Sequence, residues 1–98
     1  MKVGLYVRLA MEDDSWDLFF VEKEIELDFL PNTGDEIQDN GLCFEVESRK
    51  FNISKGCVSV YLQDFKIQNN KDKKDILKRM KESRWYYRDP DEYDLLVL

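Results

Sequence analysis

The side chains in this chain that could carry acid-base or metal chemistry are carboxylates. Glu22, Glu24, Glu26 and Asp28 alternate along one segment and would share one face of a β-strand. Such a row could bind a divalent cation or supply an acid/base pair, but it is also the ordinary solvated face of a half-buried strand. The chain has no histidine, which excludes Ser-His, Cys-His and histidine-metal chemistry. We therefore expect no enzyme activity and no catalytic, metal or cofactor site.

The two cysteines, Cys43 and Cys57, have neither metal-ligand spacing nor a Cys-x-x-Cys arrangement. If they lie on neighbouring strands of the hairpin predicted below, they are separated by roughly 33 Å, whereas a disulfide needs Cα atoms within about 7 Å. We expect free thiols. The N-terminus does not resemble a signal peptide and no apolar run is long enough for a membrane span, so a cytoplasmic location is the default expectation.

Charge is distributed unevenly along the chain. Its 21 acidic and 15 basic residues give a net charge of −6 over 98 residues. Residues 1–65 carry a net −8, residues 66–88 a net +6, and residues 89–98 a net −4. The basic block coincides with a predicted helix. A helix of this charge on an acidic protein is a candidate surface for binding an acidic protein or a phosphate backbone.

Trp85 lies among these basic residues. If the helix continues to residue 86, Trp85 falls on the face opposite the apolar stripe and beside the lysines, where it could serve as an aromatic anchor. Alternatively, the helix ends near Ser83, and Trp85 and Tyr86 turn back onto the sheet. The candidate partner-binding residues are Lys74, Lys78, Lys81, Arg84, Trp85 and Arg88.

Strict alternation of apolar residues predicts a first strand over residues 2–11, followed by a turn at residues 12–15. A second strand extends to Phe29, with Lys23 on its apolar face, which suggests a bulge, a strand end or a barrel corner. The segment Leu30-Pro31-Asn32-Thr33-Gly34 predicts a turn, although its letters match a cell-wall sorting signal.

Asn40-Gly41 predicts a type I′ hairpin that pairs Ile37 with Phe44. A three-residue loop ending at a left-handed Gly56 would then place Cys57 opposite Ile53. Later in the chain the period changes to that of a helix over about residues 70–86, with Ile76, Leu77, Met80 and Tyr87 facing the core. Residues 92–98 are apolar enough for a final strand.

These elements predict one domain over residues 1–98, β-rich over 2–66. The fold class is mainly β (α+β): a small five- to six-stranded SH3-like or OB-like barrel, or a curved antiparallel sheet, with one C-terminal α-helix. The layout Leu-Pro-x-x-Gly-Asp-x-Ile at residues 30–37, Phe-x-Val at 44–46 and Val-x-Val-Tyr-Leu at 58–62 resembles small bacterial β-barrel proteins. The resemblance implies a barrel-like fold without an attached activity.

Three functions are compatible with these observations. A small interaction module that binds a partner protein is the first expectation. The second is a nucleic-acid-binding barrel that uses the basic helix, although the surrounding acid would repel phosphate within a Debye length of roughly 8–10 Å. The third is an acidic inhibitor of the immunity or antitoxin type, which would neutralise a basic partner. We expect no membrane partner, and self-association is possible through the C-terminal strand.

Overall fold

A computed structural model of the chain describes residues 1–12 and 18–88. Within them it contains seven strands and one helix in the order expected for a β-rich domain with a C-terminal helix. The elements are β1 (Lys2–Met11), β2 (Leu18–Glu26), β3 (Glu36–Asp39), β4 (Leu42–Asn52), β5 (Cys57–Leu62), β6 (Phe65–Ile67), α1 (Asn70–Glu82) and β7 (Tyr86–Arg88).

The strands form a curled sheet with the order β3-β4-β5-β1-β2-β7, so the predicted class, a mainly β domain with one C-terminal helix, is confirmed. Two pairings are parallel. β1 lies beside β5 over Val3–Tyr6 and beside β6 over Leu9–Met11. β5 and β6 together thus form one interrupted strand that runs parallel to β1 along its length. All other pairings are antiparallel.

β1 is the central strand of the core. Its apolar residues alternate inward as predicted, and all five of them are buried in one core cluster with residues of the other strands, Met80 of α1 and Trp85. The helix contributes three of the four residues of the predicted stripe: Met80 is buried, and Ile76 and Leu77 pack against the core. Tyr87 lies outside the helix, in β7. No helix among the described residues is long and apolar enough to cross a membrane.

Two predicted turns are confirmed. Asn40 and Gly41 both have positive φ, 49° and 81°, and the hairpin pairs Ile37 with Phe44. Both residues are suited to this geometry, because asparagine tolerates the left-handed region and glycine has no Cβ. Leu30 to Gly34 lie between strands, and Gly34 also has positive φ.

Several predicted boundaries are wrong. β2 ends at Glu26, not Phe29, and its register with β1 is continuous, so Lys23 does not mark a bulge. The bulge lies in β4, between Val46 and Ser48. The β4–β5 loop has four residues, because Asn52 pairs with Cys57 where Ile53 had been expected; the left-handed Gly56 is confirmed.

The helix ends at Glu82, four residues earlier than predicted. Asn69 caps its N-terminus by accepting a hydrogen bond from the Asp72 N–H. At its C-terminus the Arg84 N–H bonds the Lys81 carbonyl and the Trp85 N–H bonds the Met80 carbonyl, while Arg84 has φ 65°. This is a Schellman motif, in which a left-handed residue reverses the chain. The short strands β6 and β7 were not predicted, and the strand expected over 92–98 lies outside the described residues.

Candidate functional site

The predicted basic surface is present on α1, although its members differ from those predicted. Lys74, Lys78 and Lys81 are exposed, and so is Lys71. At 100° per residue these four fall within a sector of about 80°, and they extend over about 15 Å of helix. None of them forms an ion pair with another described residue. We call these four residues the lysine stripe. Arg84 is exposed just beyond it.

Trp85 does not belong to this surface. Its side chain is only 6% exposed and is tilted against Phe44 with ring centroids 5.4 Å apart. The Schellman motif turns the chain back toward the sheet, so the residue after the left-handed Arg84 joins the core cluster that also contains Met80. Trp85 therefore cannot act as an exposed anchor. Of Arg88, the last predicted member, the structure describes only the backbone, in β7.

The indole of Trp85 joins a polar group that sequence reasoning missed, the Asp39 cluster of Lys23, Asp39, Ser83 and Trp85. Lys23 Nζ lies 2.6 Å from Asp39 Oδ2 and donates to Ser83 Oγ at 2.9 Å. The Ser83 hydroxyl donates to Asp39 Oδ1 at 2.6 Å, and Trp85 Nε1 donates to Asp39 Oδ2 at 2.8 Å. The cluster joins β2, β3 and the helix C-terminus. A lysine on the apolar face of β2 is therefore accommodated by a counter-charge.

The contact between Ser83 and Lys23 resembles a hydroxyl-amine dyad, but its electrostatics do not suit catalysis. Burial disfavours the charged form of Asp39, yet hydrogen bonds from Lys23, Ser83 and Trp85 outweigh this and leave its pKa below the usual value. Lys23 Nζ donates to both Asp39 and Ser83, so the amine is not placed to accept the proton of the Ser83 hydroxyl. The arrangement is suited to structural stabilisation.

The opposite face of the sheet carries a row of aligned side chains. Reading across the strands in register, Ser48 of β4 neighbours Tyr61 of β5, which neighbours Tyr6 of β1, then Glu22 of β2 and Tyr86 of β7. Tyr61 and Tyr86 are 38% and 42% exposed. Residues in one register row lie close enough for their side chains to contact one another. Three tyrosines are thus placed on one outer face.

Tyr6 and Tyr61 stack, with ring centroids 5.4 Å apart and an interplanar angle of 26°. Gly4 makes this arrangement possible. A Cβ built on Gly4 would lie 3.0 Å from Cε2 and from the hydroxyl oxygen of Tyr6, so the ring of Tyr6 lies over the glycine backbone. A strand glycine often marks such a close approach. The glycine therefore helps to set the orientation of the tyrosine pair.

The tyrosine pair forms one wall of an open groove of about 870 Å³, which we call the tyrosine groove. The β4 bulge contributes to its lining, because the extra residue lets two consecutive side chains, Glu47 and Ser48, border the groove. The lining comprises Tyr6, Val7, Arg8, Phe20, Val21, Glu22, Glu47, Ser48, Tyr61, Leu62, Gln63, Asp64 and Lys66.

The groove holds more acid than base. Arg8 donates to both carboxylate oxygens of Asp64, at 3.0 and 2.5 Å, and this bond together with the charge of Asp64 raises the pKa of Arg8. Lys66 lies 3.7 Å from Glu12. With Glu22 and Glu47 also in the lining, three carboxylates face two cations. The surface is therefore weakly acidic and aromatic.

The acidic row predicted on β2 is largely solvated. Glu24, Glu26 and Asp28 are exposed, with Glu24 near Lys2 and Glu26 3.2 Å from the N-terminal amine. Among residues 1–12 and 18–88 there is no group of three or more histidine, cysteine or carboxylate side chains that could hold a metal ion. Both cysteines are free, as predicted. The exposed Cys43 thiol donates to Glu36 at 3.1 Å, and this hydrogen bond is the main cause that raises the pKa of the thiol.

Comparison of the chain with protein-family models, with curated proteins and with solved structures finds no match. The functional argument therefore depends on the surfaces of the molecule itself.

Two signals in the sequence could have located these features. Met80 and Trp85 have the spacing of the apolar pair that accompanies a Schellman motif, which would have ended the helix before Trp85. Gly4, within an otherwise regular strand and two residues before Tyr6, could have indicated an aromatic ring lying on the backbone. No local signal identifies the groove, because five strands contribute to it.

Proposed function

We propose that this protein is a small interaction module that binds a partner protein in the tyrosine groove. The observation that carries the proposal is the groove itself: a concave surface of about 870 Å³ in which two stacked tyrosines lie beside Phe20 and Arg8. Tyrosine and arginine are enriched among the residues that dominate binding energy at protein interfaces. Concave surfaces with an aromatic lining and a few polar groups are the usual binding sites of proteins.

We place this activity in the cytoplasm. The support is that Cys43 and Cys57 are both free thiols, as is usual for proteins of reducing compartments. Self-association through a C-terminal strand stays a prediction, because residues 92–98 lie outside the described residues.

Site-specific photocrosslinking tests the module. A benzophenone amino acid at position 61 would sit in the groove, whereas the same group at Tyr86, a tyrosine of similar exposure on the same face, lies outside its lining. We expect a protein adduct from position 61 that is absent from position 86, and the purified partner should bind Tyr61→Ala at least about tenfold more weakly than wild type. Identical adducts from both positions, or unchanged binding by Tyr61→Ala, would refute the proposal.

Nucleic-acid binding is the second candidate, and the lysine stripe favours it. Four exposed lysines over about 15 Å could contact a phosphate backbone. Binding of a mixed single-stranded oligonucleotide at low and moderate salt tests this function. The variant Lys74→Glu/Lys78→Glu should abolish binding, while Lys50→Glu/Lys55→Glu, two exposed lysines at the β4–β5 hairpin, should not. Absence of binding at low salt removes this candidate.

A further inference from the structure

We infer that the outer edge of β4 binds an extended acidic segment of a partner protein, which adds to the sheet as a further strand. This surface is separate from the tyrosine groove, because it is built from backbone groups and cations instead of stacked rings. It comprises residues 48–52, which we call the free β4 edge. Three features support the inference: an unpaired backbone, an exposed aromatic ring, and basic side chains without counter-charges.

The second half of β4 has a strand partner on one side only. β3 pairs with β4 from Leu42 to Glu45, and the segment before β3 bonds the N–H and the carbonyl of Val46. Over residues 48–52, β4 pairs with β5, and no backbone hydrogen bond to the other side is formed within residues 1–12 and 18–88. Alternate residues of a strand direct their N–H and C=O groups to the same side, so this edge is a template for another strand.

The same half of β4 is exposed on both faces. The alternation of buried residues stops at Val46, and residues 47–56 are all exposed. The ring of Phe51 is 60% exposed, although Phe51 pairs with the partly buried Val58. The guanidinium of Arg49, two residues away on the same face, lies 5.8 Å from the centre of this ring. An added strand would cover Phe51 with the side chain of its cross-strand neighbour.

The charge of the β4–β5 hairpin favours an acidic segment. Residues 48–57 carry three basic and no acidic side chains, whereas residues 1–65 as a whole carry a net −8. An acidic strand placed on this edge would meet opposite charge there and like charge on most of the remaining β-domain.

The pairing of the basic side chains separates the hairpin from the rest of the β-domain. Outside the hairpin, each basic side chain of residues 1–65 forms an ion pair with a carboxylate; these are Lys2, Arg8 and Lys23. Within the hairpin, none forms an ion pair with a described residue; these are Arg49, Lys50 and Lys55. Arg49 donates only to uncharged oxygen atoms, both at 3.4 Å. The hairpin therefore offers three cations to a ligand.

These charges also argue against a second copy of the chain as the occupant. An antiparallel pair of two such edges centred on Lys50 would bring two ammonium groups opposite one another, and lysine on an edge strand discourages such pairing. A segment of another protein with alternating acidic and apolar residues fits better. Its carboxylates would face Lys50, and its apolar side chains would lie on the opposite face, over Phe51.

Calorimetric titration of the full chain with short synthetic peptides tests the inference. The probe alternates glutamate and valine, and a control peptide alternates lysine and valine. We expect the probe to bind at least about tenfold more tightly than the control. Two further peptides carry backbone N-methyl groups on the probe, one on every glutamate and one on every valine. One of them should lose at least about tenfold in affinity, because amides of one parity face the edge. Equal binding by the lysine peptide, or unchanged binding by both N-methylated peptides, would overturn the inference.

Charge variants of the protein locate the binding. Lys50→Glu/Lys55→Glu should weaken the probe at least about tenfold. The matched control, Lys74→Glu/Lys78→Glu, makes the same change of charge on α1 and should leave the affinity unchanged. An equal loss in both variants would show a response to net charge alone and would overturn the inference. Circular dichroism of each variant establishes that it is folded.

Amide hydrogen exchange measured by NMR distinguishes strand addition from charge attraction. On saturation with the probe, alternate amides of residues 48–52 should exchange at least about tenfold more slowly, while the amides already bonded to β5 should change little. Phe51→Ala should weaken the probe by up to about fivefold, the value of a good cross-strand pair, and Leu18→Ala, an exposed apolar residue of β2, should not. Unchanged exchange along the free β4 edge would refute strand addition.

The free β4 edge and the tyrosine groove can be tested independently. Tyr61→Ala should leave binding of the glutamate-valine probe unchanged, so failure of the groove proposal does not affect this one. If Tyr61→Ala abolishes binding of the probe, the peptide occupies the groove and the edge is not its site. A concentration-dependent dimer that is lost in Lys50→Glu/Lys55→Glu would make a second copy of this chain the occupant, and would also overturn the inference.

Discussion

The Asp39 cluster gives the most quantitative prediction. Asp39→Asn removes the counter-charge of Lys23 while keeping the size of the side chain. At the observed 2.6 Å, the attraction between the two charges is about 6 kcal/mol at an effective dielectric constant of about 20 and about 1.6 kcal/mol at about 80. The side chains are 17% and 22% exposed, so the pair is between the buried and the solvated limits.

Desolvation offsets part of this attraction, and breaking a fully buried pair costs about 3–5 kcal/mol. We therefore expect Asp39→Asn to lower the free energy of unfolding by about 2–3 kcal/mol. Lys23→Met should lower it by only about 1–2 kcal/mol, because Asp39 keeps its hydrogen bonds from Ser83 and Trp85. The double variant Asp39→Asn/Lys23→Met should lose less stability than the sum of the losses in the two single variants, and we expect the difference to be about 1–2 kcal/mol.

Urea unfolding at pH 7, monitored by circular dichroism, gives the free energy of unfolding of all three variants. The matched control is the exposed pair of Arg8 and Asp64, for which Asp64→Asn should cost less than about 1 kcal/mol despite an equally short contact. Two single variants that each cost less than about 0.5 kcal/mol, with additive effects, would show that the cluster does not hold the helix end against the sheet.

Two further predictions concern the same region. Because the folded pKa of Asp39 lies below its unfolded value, its contribution to stability is complete above about pH 4 and is lost as the pH falls through the folded pKa. The stability difference between wild type and Asp39→Asn should thus shrink below about pH 4 in urea titrations, and a difference that grows with acid would contradict the assignment. Arg84→Gly should raise the free energy of unfolding by about 0.5–1 kcal/mol, since glycine adopts φ 65° without a Cβ penalty; a loss of stability on thermal or urea unfolding would mean that the arginine side chain stabilises the helix end.

Much of the local structure could be predicted from the sequence. The alternation of β1 and the Asn40-Gly41 turn each depend on φ/ψ preferences or on a hydrophobic period within a few residues. These preferences do not depend on long-range contacts, so they can be predicted from residues that are adjacent in the sequence. The mainly β class with a C-terminal helix follows from them.

The candidate site could be predicted only in part. The exposed lysines of α1 follow from helical periodicity, but the position of Trp85 does not, because a reversal at Arg84 separates it from the lysine face. A helix continued to residue 86 would place Trp85 beside the lysines, but the structure has the other alternative, in which the helix ends near Ser83 and Trp85 and Tyr86 turn back onto the sheet. The Asp39 cluster was missed because its members are far apart in the chain, with Lys23 16 residues from Asp39 and Ser83 44 residues from it.

The sequence by itself determined the hydrophobic periodicity, the turns and the charge distribution of this protein. The tertiary structure decided which residues the charged and aromatic side chains contact. Parallel pairing of β1 with β5 places Tyr6 beside Tyr61, although 54 other residues separate them along the chain. That pairing brings the tyrosines into one groove. The physical reason is that local preferences specify the conformation of each segment, whereas partners across a sheet depend on which segments bury their apolar faces together.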